Sequence, residues 1–278
     1  MNESSSTFSK VMTYAVALTL TLFVGFPLFW MVISSLKPSA ELFVSPPRIL
    51  PHEITFEWYR NLLGNSGSIS LFRNSLVVGV STTLICMTAG TLAAYSVTRF
   101  VYPGKRVFLV AALLSYMFPA VVLFISVYMI INSFGLVDTH LGLIICHCIL
   151  TFPFALWMLK SFFEGIPCEI DEAAWVDGAS FLRTFFTIIV PLALPGIFSV
   201  AVFVFVLSWN EFLFASVMIT SGTLKTIPVG TAEFITSFDV RWGEIMAIGT
   251  LATVPVVILF LCVQRYFLSG VLSGAVKG

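Results

Sequence analysis

Long apolar runs separated by short polar breaks dominate the chain. Runs at about 11–36, 74–98, 107–132, 141–163, 195–219 and 244–267 each reach the ~20 residues needed to cross a ~30 Å hydrocarbon core at ~1.5 Å per residue. They predict six transmembrane helices and an all-α, polytopic membrane protein with a single transmembrane domain over residues 1–278. Stretches of ~10 residues alternating apolar and polar, the pattern of an outer-membrane barrel, are absent from the sequence. The first run is longer than a signal-peptide core and no small-residue cleavage site follows it, so it is expected to remain as an anchor.

The breaks differ in character. Residues 37–73 carry Pro38, Pro46, Pro47 and Pro51, which bar a continuous helix. They also hold an amphipathic "FEWYRNLL" at 56–63 whose Trp58 and Tyr59 are expected at the lipid interface. A second long break, about 220–242, has room to meet something outside or to dip back in. The break at about 164–191 is compact and acidic, with Glu164, Glu169, Asp171, Glu172 and Asp177. Pro167 suits a first helical turn, and the carboxylates that follow favour a helix N-terminus, so a short helix is predicted over about 168–177. Gly178 accepts the positive φ that ends such a helix. A second short helix, about 180–188, is expected to stop at Pro191, with Pro195 and Gly196 opening the next run. The product is a stiff elbow with apolar Ala173, Ala174, Trp175, Phe181 and Phe185 among its charges. Physical chemistry leaves two readings of it open, a docking surface for a soluble partner or a pair of helices lying on the membrane.

Composition agrees with a membrane protein: 58% of residues are hydrophobic and 10% charged, against about 25% charged in ordinary soluble domains. Basic and acidic residues balance at 14 each, so net charge points to no nucleic-acid or acidic partner. Their placement says more. "TRFVYPGKR" after the second run carries three basic residues and "SFGLVDTH" after the third carries none, which favours both termini on the cytoplasmic side and puts the elbow there too. Cys86, Cys146, Cys148, Cys168 and Cys262 form no ligand spacing and read as core or lipid-facing residues. "CHC" at 146–148 cannot close on one metal ion, because successive helix positions point ~100° apart. No metal site is expected.

Glu172-Ala173-Ala174, then three residues, Gly178, nine residues and Ile188-Ile189-Val190-Pro191 resembles the EAA loop of bacterial ABC importer permeases. Val190 alone departs, standing where the family has Leu. "RFVYPGKR", "SWNEFLFA" at 208–215 and the tail "QRYFLSGVLSGAVKG" are similar to the maltose-type, carbohydrate-uptake branch, and to the shorter of its two permease subunits. The resemblance implies an ABC-importer permease fold in the inner membrane. It implies four kinds of partner: a second permease, two ATPase subunits, an extracytoplasmic solute-binding protein and a carbohydrate. It makes the elbow an ATPase-coupling element built from Glu172, Ala173, Ala174, Asp177, Gly178, Ile188 and Pro191. Glu172 would serve there as a capping or partner-binding carboxylate and Gly178 as hinge geometry. The tail Gly270–Gly278, with Lys277, is similar to family tails that reach toward the ATPase, and the 220–242 loop to one that meets the binding protein. No phosphate-cradling G-x-x-x-x-G-K-[ST] occurs, since Arg99 stands where the first glycine would precede Gly104-Lys105. No catalytic residue or bound cofactor is expected on this chain, and ATP with its Mg would sit on the partner ATPase.

Polar groups inside apolar runs are default candidates for function. Trp209, Asn210 and Glu211 offer an aromatic face, an amide and a carboxylate, the groups that bind a neutral hydroxyl-rich ligand. Tyr128 and Asn132, one turn apart in the third run, offer a similar set. For both, bonding between helices is the competing reading. Pro119 and Pro255 fall inside runs and suggest kinks or hinges. An ion-coupled secondary carrier would call for inverted repeats and buried ion sites, and the sequence shows no repeat. A membrane enzyme would need a nucleophile or metal motif, and His52, His140 and His147 are scattered. An importer for a phosphorylated polyol would want cationic residues along the pore, and no Lys or Arg lies in the middle of a run.

Overall fold

The computed structural model describes residues 3–235 and 240–275, with side chains over 9–235 and 240–264. The described residues are all-α. The helices are α1 (Glu3–Ser34), α2 (Ser39–Leu42), α3 (Glu57–Gly64), α4 (Ser66–Arg99), α5 (Lys105–Met117), α6 (Ala120–Ser133) and α7 (His140–Glu164), followed by α8 (Glu169–Val176), α9 (Phe181–Thr184), α10 (Val190–Trp209), α11 (Leu213–Met218), α12 (Ile227–Ala232) and α13 (Trp242–Ala275). Five stretches among the described residues are long and apolar enough to span a membrane, and α5 with α6 makes a sixth if taken as one bent span.

Three expectations are corrected. The third run is not one helix: α5 and α6 meet at 110° around Phe118 and Pro119. Pro119 lacks an N–H and pushes the preceding residue out of the helical region, and Phe118 is accordingly extended at φ −71°, ψ 132°. The predicted stop at Pro191 does not occur. Helix continues from Phe181 through Pro191 and Pro195 to Trp209, because a π-helical turn, Phe185–Ile189, intervenes and the Val190 N–H reaches back to the Phe185 carbonyl. The fifth span therefore ends at Trp209 rather than near 219, and a non-helical link precedes α11. Helix is also continuous through Pro255 inside α13.

The chain divides into two compact units, Met1–Ile69 with Thr231–Val254 and Ser70–Gly230 with Pro255–Gly278. In the first, no residue of the apolar window of Ser9–Ser34 is buried. The hydroxyls of Thr13, Thr19 and Thr21 on that helix donate to carbonyls four residues back at 2.8–2.9 Å, which satisfies these three groups within the helix itself. Trp58 and Tyr59, expected to face lipid headgroups, turn their polar atoms inward. The indole Nε1 donates to the Lys37 carbonyl at 2.8 Å and the phenol pairs with Ser35 Oγ at 2.6 Å.

In the second unit, Thr139 caps α7 by accepting from the Gly142 N–H at 3.0 Å. One apolar core joins α4, α7 and α10 through Leu156, Leu159, Phe163, Phe185, Ile189 and Val200. Gly196 has no side chain where the Phe162 ring presses in, and a Cβ there would stand 2.4 Å from the ring. A second core joins α6, α7 and α11 through Ile131, Leu143, Phe214 and Met218. The loop after α11 folds back on this unit. Asn74 Nδ2 donates to the carbonyls of Thr223 and Lys225 at 2.8 and 2.9 Å, and the Ile227 N–H donates to Ser75 Oγ at 2.8 Å. Of the 220–242 stretch, residues 236–239 lie outside the described residues, as do 276–278 and all side chains of the tail.

Candidate functional site

The elbow between α7 and α10 is built as the acidic pattern requires. Cys168 precedes α8, and Glu169, Asp171 and Glu172 fill its first turn, where the helix dipole favours negative charge. Gly178 ends it at φ +84°, with the Asp177 and Ala179 N–H groups donating to the carbonyls of Ala173 and Ala174. Nothing lies within 4 Å of where a Gly178 Cβ would stand, so the glycine is needed for its backbone conformation alone. Ser180 then caps α9 by accepting from the Arg183 N–H.

Two faces of α8 differ sharply. Asp171 and Ala174, three positions apart, are its buried residues. Glu172, Ala173, Val176, Asp177 and Gly178 are exposed, Val176 at 87%. Among the described residues the Glu172 side chain makes no hydrogen bond or ion pair and caps no helix. Phe181, Leu182 and Phe186 continue an exposed apolar patch beside it, while Trp175 meets Phe181 edge-on at 4.8 Å. Ile188 is half-buried and Pro191 exposed.

The buried face is tied down by residues the sequence reading passed over. Asp171, 1% exposed, accepts from the Tyr95 hydroxyl at Oδ1 (2.8 Å) and pairs with Arg99 Nε at Oδ2 (2.8 Å). Arg99 also donates Nη2 to the Ile166 carbonyl at 2.8 Å and approaches Cys168 Sγ at 3.3 Å. The Tyr95 ring packs against Phe100, Phe163 and Phe185 at centroid distances of 5.8, 6.1 and 4.9 Å. One sequence signal was available, the placing of Asp171 on the same helical face as Ala174. The identity of its partners was not.

The second candidate group is rearranged. Trp209, the last residue of α10, is buried and stacked on Phe205 at 5.3 Å. Asn210 is exposed and turns its amide back to the Val206 carbonyl at 2.9 Å. Glu211 caps α11, accepting from the N–H groups of Phe214 and Ala215 at 2.9 and 3.0 Å. His147 Nε2 lies 3.2 Å from its Oε2, and His147 Nδ1 lies 2.7 Å from Ser208 Oγ. An ionised carboxylate only accepts, so Nε2 carries a proton toward Glu211. His147 is an ionisable residue in the middle of an apolar run, which was the signal to weigh. Tyr128 is half-buried and Asn132 exposed, both on α6. Among the described residues no cluster of three His, Cys, Asp or Glu side chains is arranged for a metal ion.

Residues 86–272 match the family model described as binding-protein-dependent transport system inner membrane component. The chain is 37% identical to the trehalose transport system permease protein SugB of Mycobacterium tuberculosis, covering 93% of this chain and 95% of that one. It is 35% identical to the inner membrane ABC transporter permease protein YcjP of Escherichia coli over the full length of both. Its fold is that of a chain in the crystal structure of a bacterial ABC transporter involved in the import of the acidic polysaccharide alginate, with a TM-score of 0.81, 20% identity, and coverage of 96% and 99%.

Proposed function

Because the chain belongs to the family of binding-protein-dependent transport system inner membrane components, we propose that it forms half of a two-permease pore that carries a carbohydrate across the cytoplasmic membrane. The pore is driven by ATP and Mg bound on two ATPase subunits and fed by an extracytoplasmic binding protein. The carbohydrate class is supported by similarity to a trehalose permease. The distribution of Arg99, Lys105 and Arg106 supports a cytoplasmic location for both termini and for the elbow.

The single observation that carries the reading is the two-faced α8. Its inner face is anchored through Asp171, while its outer face presents an unpaired Glu172, a small Ala173 and the apolar Val176 to a partner. In this reading the elbow seats in the ATPase. A conformational equilibrium moves only as far as a partner's affinity differs between its two states, and the elbow supplies that differential contact. The polar groups Trp209, Asn210 and Glu211 are mostly occupied in holding the end of α10 and the start of α11, so the greater part of the sugar contact falls to other residues or to the second permease. Asn210, exposed, is the one of the three free to face a ligand.

The test is co-purification from native membranes followed by ATPase assay with binding protein and a panel of sugars that includes trehalose and maltose. A second permease and an ATPase should come with this chain, and one sugar-loaded binding protein should raise hydrolysis. A chain that emerges alone, or with partners lacking ATPase activity, would overturn the reading.

A further inference from the structure

Tyr95 and Arg99 stand one helical turn apart at the C-terminal end of α4, so both side chains leave the same face. They meet one carboxylate, Asp171, on its two different oxygens. A carboxylate held at one oxygen can swivel; held at both by groups on a single rigid helix, it cannot. Arg99 meanwhile grips the Ile166 carbonyl and Cys168 just ahead of α8, and the Tyr95 ring lies against Phe185, the first residue of the π turn. Besides Asp171, α8 buries Ala174 and packs Ile170 against the core that holds Tyr95, so the polar cluster is the specific part of its attachment to α4.

Simple adhesion does not account for such a device. Burying an ion pair costs desolvation that its attraction barely repays, and apolar residues of the same volume commonly serve stability as well or better. The Tyr95 hydrogen bond on one oxygen with the Arg99 charge at the other does what an apolar contact cannot: it holds one carboxylate to one helix at two points.

We propose that Tyr95, Arg99 and Asp171 form a transmission joint, positioning residues that carry movement of α8 into α4 and so into the second span. The proposal rests on the coupling reading of the elbow given above. Displacement of α8 by a partner pulls on the Asp171 carboxylate, and the load passes to two residues of one helix rather than dissipating in side-chain slippage.

The experiment uses the complete, purified transporter and hydrogen exchange with and without ATP and vanadate, which needs no knowledge of the cargo. In the unaltered complex, peptides covering α8 and peptides covering the last turns of α4 should both change protection on nucleotide binding. The double variant Arg99→Met with Asp171→Leu replaces the ion pair by apolar volume. It should assemble and keep the α8 response while losing the α4 response. Tyr95→Phe, which removes one hydrogen bond and keeps the ring packing, serves if the double variant fails to assemble, and should weaken the α4 response alone. An α4 response as large as in the unaltered complex, in either assembled variant, overturns the joint. If α8 itself ignores nucleotide in the unaltered complex, the coupling reading fails, and the joint with it.

Discussion

Among the described residues of the second unit, Asp171 is buried and Glu211 half-buried, and the two carboxylates are held in opposite ways. Asp171 is held from outside its own helix, by two side chains of α4 that lie far away in sequence. Glu211 is held mainly from within, by the N–H groups of Phe214 and Ala215 in the helix it caps, with His147 as the single reach across to α7. The first arrangement makes two elements move together. The second finishes one element, satisfying two backbone donors at the start of α11. An internal carboxylate is therefore not one kind of feature; where its donors come from decides whether it joins parts or ends one.

The contrast can be broken most forcefully at Asp171. Asp171→Ala should strand the Arg99 guanidinium in a buried site and destabilise the protein by about 3–5 kcal/mol, seen as loss of monodisperse protein on mild heating in detergent. The loss should reach both α4 and the elbow. Glu211→Ala should cost less, about 1–3 kcal/mol for a lost cap and an unsatisfied His147 N–H, and increased hydrogen exchange should stay within residues 211–218. Spread of that effect into α4 would erase the distinction between joint and cap.

Gly178 sharpens the comparison from the exposed side. A β-branched residue at its φ of +84° is strained by about 1–2 kcal/mol, and space alone offers no objection. Gly178→Val should therefore reduce binding-protein-stimulated ATPase while leaving the α4–Asp171 contact in place, and Gly178→Asn, which tolerates this conformation, should retain most of the stimulation.

The smallest effect is expected at Asp138, a carboxylate near the surface whose donors, Thr220 and Ser221, stand on the distant loop after α11. The Ser221 hydroxyl, then the Ser221 and Thr220 N–H groups, hold its carboxyl below the usual carboxylate range. A lowered folded-state pKa means that its contribution is complete above the unfolded value of about 3.8 and fades as pH falls through the lower folded one. Acidification should free Thr220 and Ser221 for exchange in the native protein. In Asp138→Asn they should exchange faster throughout, with no step over that acid range.

Much of this architecture was legible in the residues themselves. Hydropathy placed α1, α4, α7 and α13, and the Pro167, Asp171 and Gly178 signals placed α8 and its end, because these depend on local propensity and on apolar length. The break between α5 and α6 had its marker in Pro119, yet the same marker misled at Pro191, where a π turn absorbed the proline. Local rules cannot foresee that exchange. The pairings of Arg99 with Asp171 and of His147 with Glu211 are long-range, and a single sequence carries no record of which distant residues meet. The elbow's chemistry could thus be read in advance, and its attachment could not.

The π turn at Phe185–Ile189 has a further consequence. A π turn is an α-helix carrying one surplus residue, and each residue of an α-helix advances the azimuth by about 100°. Everything from Val190 to Trp209 is thereby phased differently from the way an uninterrupted helix beginning at Phe181 would set it. Which sides of α10 look into the protein and which look out are thus determined by five residues at its base. A single-residue deletion there would remove the surplus and leave the upper helix phased as it is, whereas straightening the turn with every residue kept would swing that helix about 100° around its axis.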